Sequence, residues 1–108
     1  VQRELFLVAA EGARILGTAM AGYDGHRGWL YYLAVRPDQR KRGIGRALMA
    51  RVEADLAAMG CPKLNLQVRA ENIGAVAFYR HLGFSIEERV SMGKRLASVE
   101  TDEMDRQE

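Results

Sequence analysis

The chain of 108 residues contains a single cysteine, Cys61. No intrachain disulfide can form, and a reducing, cytoplasmic setting is the natural expectation. Cys61 stands before a proline after a helix end with no obvious histidine partner, which makes it a poor nucleophile. Histidines number two, and no Cys, His and carboxylate cluster has metal-ligand spacing, so no metal is expected. His26, beside Asp24 and Gly25 in a turn, reads as a bystander. No apolar run reaches the length of a membrane span, and the first residues lack the basic-then-apolar layout of a secretory signal; no membrane partner is expected. Charge of one sign is also scarce: 16 Lys and Arg against 14 Asp and Glu leave +2. That is too little for a general nucleic-acid binder. What is present, 48% hydrophobic and 28% charged residues, suits one globular domain with one core.

The basic residues that do occur gather at one place. In Val35-Arg36-Pro37-Asp38-Gln39-Arg40-Lys41-Arg42-Gly43-Ile44-Gly45-Arg46, an apolar strand stops, a basic loop begins and a long helix starts. Gly43 and Gly45 remove Cβ from a tight turn, so several backbone N–H groups can converge on one anion. The helix that follows, Gly43 to Met59, brings its positive end to the same point. Arg36, Arg40, Lys41, Arg42 and Arg46 surround it against one acid, Asp38, which describes a cradle for a phosphate or pyrophosphate; the alternative is a solvated basic loop whose glycines serve only the turn. A Walker loop is disfavoured because Arg46-Ala47 follows the last glycine in place of Lys and Ser or Thr. A dinucleotide turn is disfavoured because Leu48 stands where a third small residue belongs.

Along the chain, Leu5–Ala10 and Arg14–Ala21 alternate as strands about a turn at Glu11-Gly12, and Trp29–Val35 returns as a third strand; together they form an antiparallel meander. The apolar content of Trp29–Val35 predicts a central strand covered on both faces. The helix carries Ile44, Leu48, Val52 and Leu56 at four-residue spacing, widened by Ala47, Met49 and Met59. The five methionines read as core filler. Gly60 and Pro62 end the helix, and Lys63–Val68 alternates as a strand parallel to Trp29–Val35, giving a mixed sheet. Asn72 caps a short helix that Gly83 ends. Phe84–Leu96 reads as two short strands with a break near Ser91 to Gly93. The acidic tail, 97–108, reads as a frayed helix or disorder.

Two stretches in order, Arg40-x-x-Gly43-x-Gly45 and Asn72-x-x-Ala75-x-x-Phe78-Tyr79-x-x-Leu82-Gly83-Phe84, resemble the acyl-CoA motifs of the GNAT acetyltransferases. The resemblance runs from about Leu5 to Leu96 and is closest to small bacterial members near the ribosomal-protein N-terminal acetyltransferase branch. It implies an α/β fold: a mixed, mostly antiparallel sheet whose central parallel pair splays at the acyl-CoA site, flanked by helices, in one domain over 1–96. It also implies acetyl transfer from acetyl-CoA, as co-substrate, to a primary amine by direct attack, the amine being a protein N-terminus, a lysine or a small molecule. The alternative is a non-catalytic acyl-CoA-binding or regulatory module.

Carried over residue by residue, the resemblance gives Leu33, Ala34 and Val35 to the pantetheine arm, with a backbone N–H there for the thioester carbonyl. It gives Arg40, Lys41, Arg42, Gly43, Ile44, Gly45 and Arg46 to the pyrophosphate and Asn72 to the cofactor, and it makes Tyr79 the proton donor to the departing thiolate. Gln67 stands where the ribosomal-protein branch has a glutamate base, and an amide cannot accept that proton; Tyr31, Tyr32, Glu71 or an ordered water are left for the role, unless the amine arrives already neutral. Family members normally begin with a further strand and one or two helices, which usually form one wall of the acceptor site. A chain lacking them would leave apolar faces uncovered, and self-association, as a homodimer, is the expectation.

Overall fold

A computed structural model describes residues 3–97. The alternation at the start produces a hairpin of β1 (Arg3–Glu11) and β2 (Arg14–Tyr23), turning at Gly12 with φ +62°. Its register opposes Leu5 to Ala21, Leu7 to Ala19 and Ala9 to Gly17 on one face, and Phe6 to Met20 and Val8 to Thr18 on the other. β3 (Gly28–Val35) joins antiparallel to β2, and β4 (Leu64–Asn65) joins parallel to β3. The sheet order is β1-β2-β3-β4. It is the mixed, mostly antiparallel sheet with one parallel pair expected of the sequence.

Two helices complete the fold, α1 (Ile44–Ala58) and α2 (Ile73–His81). Along α1, Leu48, Met49, Val52 and Leu56 are buried against Ala19, Ala21 and Leu30 of the sheet. Full burial of side chains of this size contributes about 1.5–3 kcal/mol each. Ala19 and Ala21 are wholly inaccessible; their small side chains let the helix approach the sheet closely. Ile44 and Met59 sit at the edges of the stripe as expected, but Ala47 is exposed: the buried arc turns through Met49 instead.

Both helices stop in the same way. After α1, Gly60 at φ +89° donates to Ala57 O (2.9 Å) and Cys61 N–H to Leu56 O (3.0 Å); after α2, Gly83 at φ +101° donates to Arg80 O and Phe84 N–H to Tyr79 O, each at 3.0 Å. These paired bonds close the last turn around a left-handed glycine.

Three further expectations fail, each for a physical reason. β3 is interior in the sheet but covered on one face only. α1 lies on the face of Leu30 and Leu33, and Tyr31 and Tyr32 on the other remain 48% and 42% exposed. The strand expected over Lys63–Val68 pairs only at Leu64 and Asn65. The β2–β3 register shifts between Met20/Tyr32 and Ala21/Leu30, leaving Tyr31 as a bulge. A bulge bends its strand and sharpens the twist, and this one begins two residues beyond Trp29, where the parallel pairing ends. Phe84–Leu96 forms no strand; Ile86, Val90, Met92 and Leu96 are exposed, and Lys63 Nζ to Glu87 (2.5 Å) ties the segment to the loop before β4. Alternation requires an edge to pair with, and β4 supplies two residues. Of the acidic tail, Ala97 has no regular structure and the rest lies outside the described residues.

Candidate acyl-donor site

The site begins where β3 ends. Arg36 N–H donates to Leu16 O (2.9 Å), and the chain then turns through a single 3₁₀ turn at Pro37–Gln39. Gln39 is the one buried polar residue among those described; its carbonyl accepts from the Arg42 guanidinium and its backbone N–H reaches Arg36 O at 2.9 Å. Asp38, the only acid of the loop, bridges Arg14 (2.7 Å) and Arg36 (3.2 Å). The hydrogen bond from Arg36, followed by the charges of Arg36 and Arg14, holds its carboxyl below the usual carboxylate range. Arg42 also lies 3.7 Å from Glu11.

The structure thus divides the basic cluster. Arg14, Arg36 and Arg42 fasten the loop to the hairpin, whereas Arg40, Lys41 and Arg46 are exposed and, among the described residues, unpaired.

The backbone between these cations is shaped for an anion. Lys41 (φ +69°) and Gly43 (φ +80°) both lie in the left-handed region, the first being the only non-glycine residue there among those described. Such a conformation costs on the order of 1–3 kcal/mol and concentrates at ligand clamps. The first intrahelical bond of α1 runs from Ala47 N–H to Gly43 O (2.9 Å), and no side chain caps the helix. The Ile44, Gly45 and Arg46 amides therefore lack helical acceptors, and no acid stands in the first turn to attract them. Three aligned donors, a helix positive end and three cations unpaired among the described residues make this a candidate site for a polyanion.

The remaining elements meet beside it. A Cβ on Gly45 would lie 3.3 Å from Phe78 Cζ and 3.7 Å from Val35 Cγ2, so the first turn of α1, the end of β3 and α2 meet at one close contact. Leu33 to Val35 pair with β2 on one side, while among the described residues no strand pairs with β3 beyond Trp29 on the other. An open main-chain edge thus leads to the cradle. Asn72 caps α2, its Oδ1 accepting from Ala75 N–H (3.1 Å), which leaves its amide NH₂ uncommitted among the described residues. Tyr79 stands half-buried between Phe78 and Phe84, edge-on at centroid distances of 5.1 and 5.7 Å. Burial pushes its phenol above the ordinary value. Its hydroxyl has no partner among the described residues. Gln67 is exposed, beyond the end of β4. Gln39 and Gly17, which position the loop and the helix, carry no pattern that would single them out in sequence. Among the described residues no group of three His, Cys, Asp or Glu could hold a metal, and no helix is long and apolar enough to cross a membrane.

A parallel pair that stops at Trp29, followed by a glycine-rich, basic helix start, defines a mixed-sheet domain with a candidate anion site where β3 ends. Residues 1–84 match the model of the acetyltransferase (GNAT) family, and the chain belongs to that family. An acetyltransferase of Yersinia pestis (strain Pestoides F) is 50% identical over 93 residues, 86% of this chain and 66% of that protein. One of Pectobacterium atrosepticum is 48% identical over 93 residues with the same coverage. The chain therefore spans just under two thirds of the length of these relatives. Among solved structures, the ribosomal-protein-S18-alanine N-acetyltransferase of Escherichia coli superposes with a TM-score of 0.74 at 31% identity, covering 80% of this chain and 56% of that one. The aminoglycoside N-acetyltransferase AAC(6')-Iy, solved in complex with CoA, gives 0.76 at 24% identity over 85% of this chain and 75% of that one; this second likeness is one of fold.

Proposed function

We propose that the chain transfers an acetyl group from acetyl-CoA to a primary amine by direct attack in a ternary complex. The observation that carries this reading is the conjunction of an open β3 edge with unsatisfied amides at Ile44, Gly45 and Arg46. An extended pantetheine arm adds to the edge as a strand would, and its pyrophosphate lies on the amides with Arg40, Lys41 and Arg46 around it.

In this reading a backbone N–H within Leu33–Val35 polarises the thioester carbonyl and stabilises the charge that develops as the amine attacks. The amine's lone pair forms the C–N bond, the C–S bond breaks, and Tyr79 gives its proton to the departing thiolate. A phenol whose pKa is raised by burial stays protonated throughout the neutral range, as a proton donor must. The Asn72 amide contacts the cofactor while its oxygen serves the helix cap. Gln67 cannot take the amine's proton, so the substrate of the ribosomal-protein branch is not carried over; a water or an amine arriving neutral supplies that step. A cytoplasmic location fits the single cysteine.

Thermal shift with acetyl-CoA against ATP and inorganic pyrophosphate, followed by release of CoA thiol with a panel of peptides, polyamines and amino acids, tests the proposal. Stabilisation by acetyl-CoA well beyond that by the other two, with thiol release on adding an amine, is expected. Equal stabilisation by pyrophosphate alone would reduce the site to a phosphate cradle. Binding without turnover across the panel would favour a non-catalytic acyl-CoA module.

A further inference from the structure

Lys41 holds its backbone at φ +69°, where every other left-handed residue among those described is a glycine. Glycine adopts that conformation without steric penalty, and a residue with a long side chain seldom does. Lys41 is exposed and makes no hydrogen bond or ion pair among the described residues, so no contact of its own side chain offsets the strain. What holds the backbone is the pair of residues on either side. Gln39, 8% exposed, accepts at Oε1 from the Arg42 guanidinium, and Arg42 also lies 3.7 Å from Glu11. This tie closes over Arg40 and Lys41 and leaves both exposed. Strain of this kind persists where the surroundings over-determine it, and it gathers at ligand clamps. The Gln39 amide NH₂ has no acceptor among the described residues; a donor so nearly buried calls for a water or an anion beside it.

We propose that Lys41 is a specificity-determining residue for the acyl donor: it meets a phosphomonoester that the donor carries in addition to its pyrophosphate, and the Gln39–Arg42 tie holds it there. The inference rests on the acetyl-transfer reading, in which the donor is acetyl-CoA and that group is its 3′-phosphate. Each phosphate of a pyrophosphate diester carries a single negative charge. The Ile44, Gly45 and Arg46 amides, the positive end of α1 and the Arg46 and Arg40 side chains answer those charges. A further cation on the loop exceeds what the pyrophosphate requires. A phosphomonoester adds about 1.5–2 charges near neutral pH, and a lysine ammonium serves as a point charge for such a group. Of the unpaired cations, Lys41 is the one kept where a glycine would relieve the backbone. The selectivity is therefore assigned to it and not to Arg40.

Acetyl-CoA, and separately acetyl-dephospho-CoA, which lacks the 3′-phosphate, are titrated into the chain and its variants by isothermal titration calorimetry at physiological ionic strength. The unaltered chain should bind acetyl-CoA ~10-fold more tightly than the dephospho donor. Lys41→Gly should bring the two affinities within ~3-fold of each other by weakening acetyl-CoA alone, while the Tm of the unliganded chain rises by ~4 °C as the strain is lifted. Lys41→Arg keeps a cation and should keep most of the ratio, whereas Arg40→Gln should weaken both donors alike. Gln39→Met, similar in length but without the carboxamide, should narrow the ratio with Lys41 still present. A ratio unchanged in Lys41→Gly, or lowered as far in Arg40→Gln, would overturn the proposal. Equal weakening of both donors by Lys41→Gly would put the lysine on the pyrophosphate and overturn it too. A ratio unchanged in Gln39→Met would overturn the part given to the tie. Equal binding of the two donors by the unaltered chain would overturn the selectivity and leave acetyl transfer intact; binding of neither would overturn the acetyl-transfer reading itself.

Discussion

Gly43 and Gly45 differ in what a methyl group would do, and the pair separates folding from ligand binding. At Gly43 nothing lies within 4 Å of an added Cβ, but φ is +80°. Alanine there meets about 1–2 kcal/mol of left-handed strain, partly offset by ~0.4–1 kcal/mol from a less flexible unfolded chain. The net loss is about 1 kcal/mol, or roughly 4–8 °C in Tm for a domain of this size. At Gly45 the backbone is helical and alanine gains up to ~1 kcal/mol of helix propensity. Against that, its Cβ would sit 3.3 Å from Phe78 Cζ, so the ring has to give by a few tenths of an ångström. Gly45→Ala should therefore be close to neutral in unliganded stability, and Gly45→Val, with two further carbons against Phe78 and Val35, destabilising. For ligand the order changes. Acetyl-CoA at 100 times its Kd stabilises by ~2.7 kcal/mol, and a tenfold loss of affinity removes about 1.4 kcal/mol of it, a drop of roughly 6–11 °C in the ligand-induced shift. Both Gly43→Val and Gly45→Val should abolish that shift, the first by moving the amides and the second by moving the helix turn. Differential scanning fluorimetry with and without acetyl-CoA reads all four variants. A full ligand-induced shift in both valine variants would refute the cradle, and a Gly45→Ala chain destabilised as much as Gly43→Ala would refute the local argument.

Tyr79→Phe keeps the ring between Phe78 and Phe84 and removes only the proton; turnover should fall toward the lower end of ~10²–10⁴-fold with little change in acetyl-CoA Kd, and full turnover would remove the general-acid role. Asn72→Ala deletes the cap to Ala75 N–H and should cost about 1 kcal/mol, visible as a lower urea midpoint; Asn72→Asp, which keeps an acceptor, should restore most of it. Asp24 accepts from Arg27 N–H (2.9 Å) and His26 N–H (2.8 Å), and those bonds, Arg27's first, lower its pKa. Because the folded value is depressed, its contribution is present above the ordinary carboxylate pKa and is lost as pH falls through the folded one. Asp24→Asn should flatten that acid limb of a Tm-against-pH profile, and an unchanged limb would show the turn to be indifferent to the charge.

The elements whose determinants are local are legible in the sequence alone. Helix α1 was bounded by Gly43 and Met59 because an amphipathic stripe and a glycine stop are written in neighbouring residues, and the Asn72 cap and Gly83 stop of α2 were readable on the same ground. The hairpin followed from alternation about Glu11-Gly12. What failed depended on partners distant in the chain. The alternation of Lys63–Val68 and of Phe84–Leu96 is real, yet a strand exists only opposite another, and the bulge at Tyr31 withdraws β3 from the first while β4 offers the second too short an edge. The apolar run Trp29–Val35 suggested cover on both faces, but tyrosine is tolerated where one end of the ring meets water. In the cradle, residue types were legible and their division of labour was not: that Asp38 restrains Arg14 and Arg36, while Arg40, Lys41 and Arg46 stay unpaired, depends on which side chains the loop brings within reach.

Gly17 lies on β2, away from the proposed ligand. A Cβ there would meet Ala34 O at 2.9 Å and Ile44 Cγ2 and Leu48 Cδ1 at 3.2 Å each, so the missing methyl sets how low the first turn of α1 rides over the strand end. The spacing between the helix start and the β3 edge is thus gauged by a residue in the floor of the sheet. A bulkier side chain at that point would jack up the helix like a shim, carrying the Ile44–Arg46 amides away from the β3 edge they must serve together. In a mutational screen position 17 should score together with the proposed ligand-binding residues, although its own place is in the sheet beneath them.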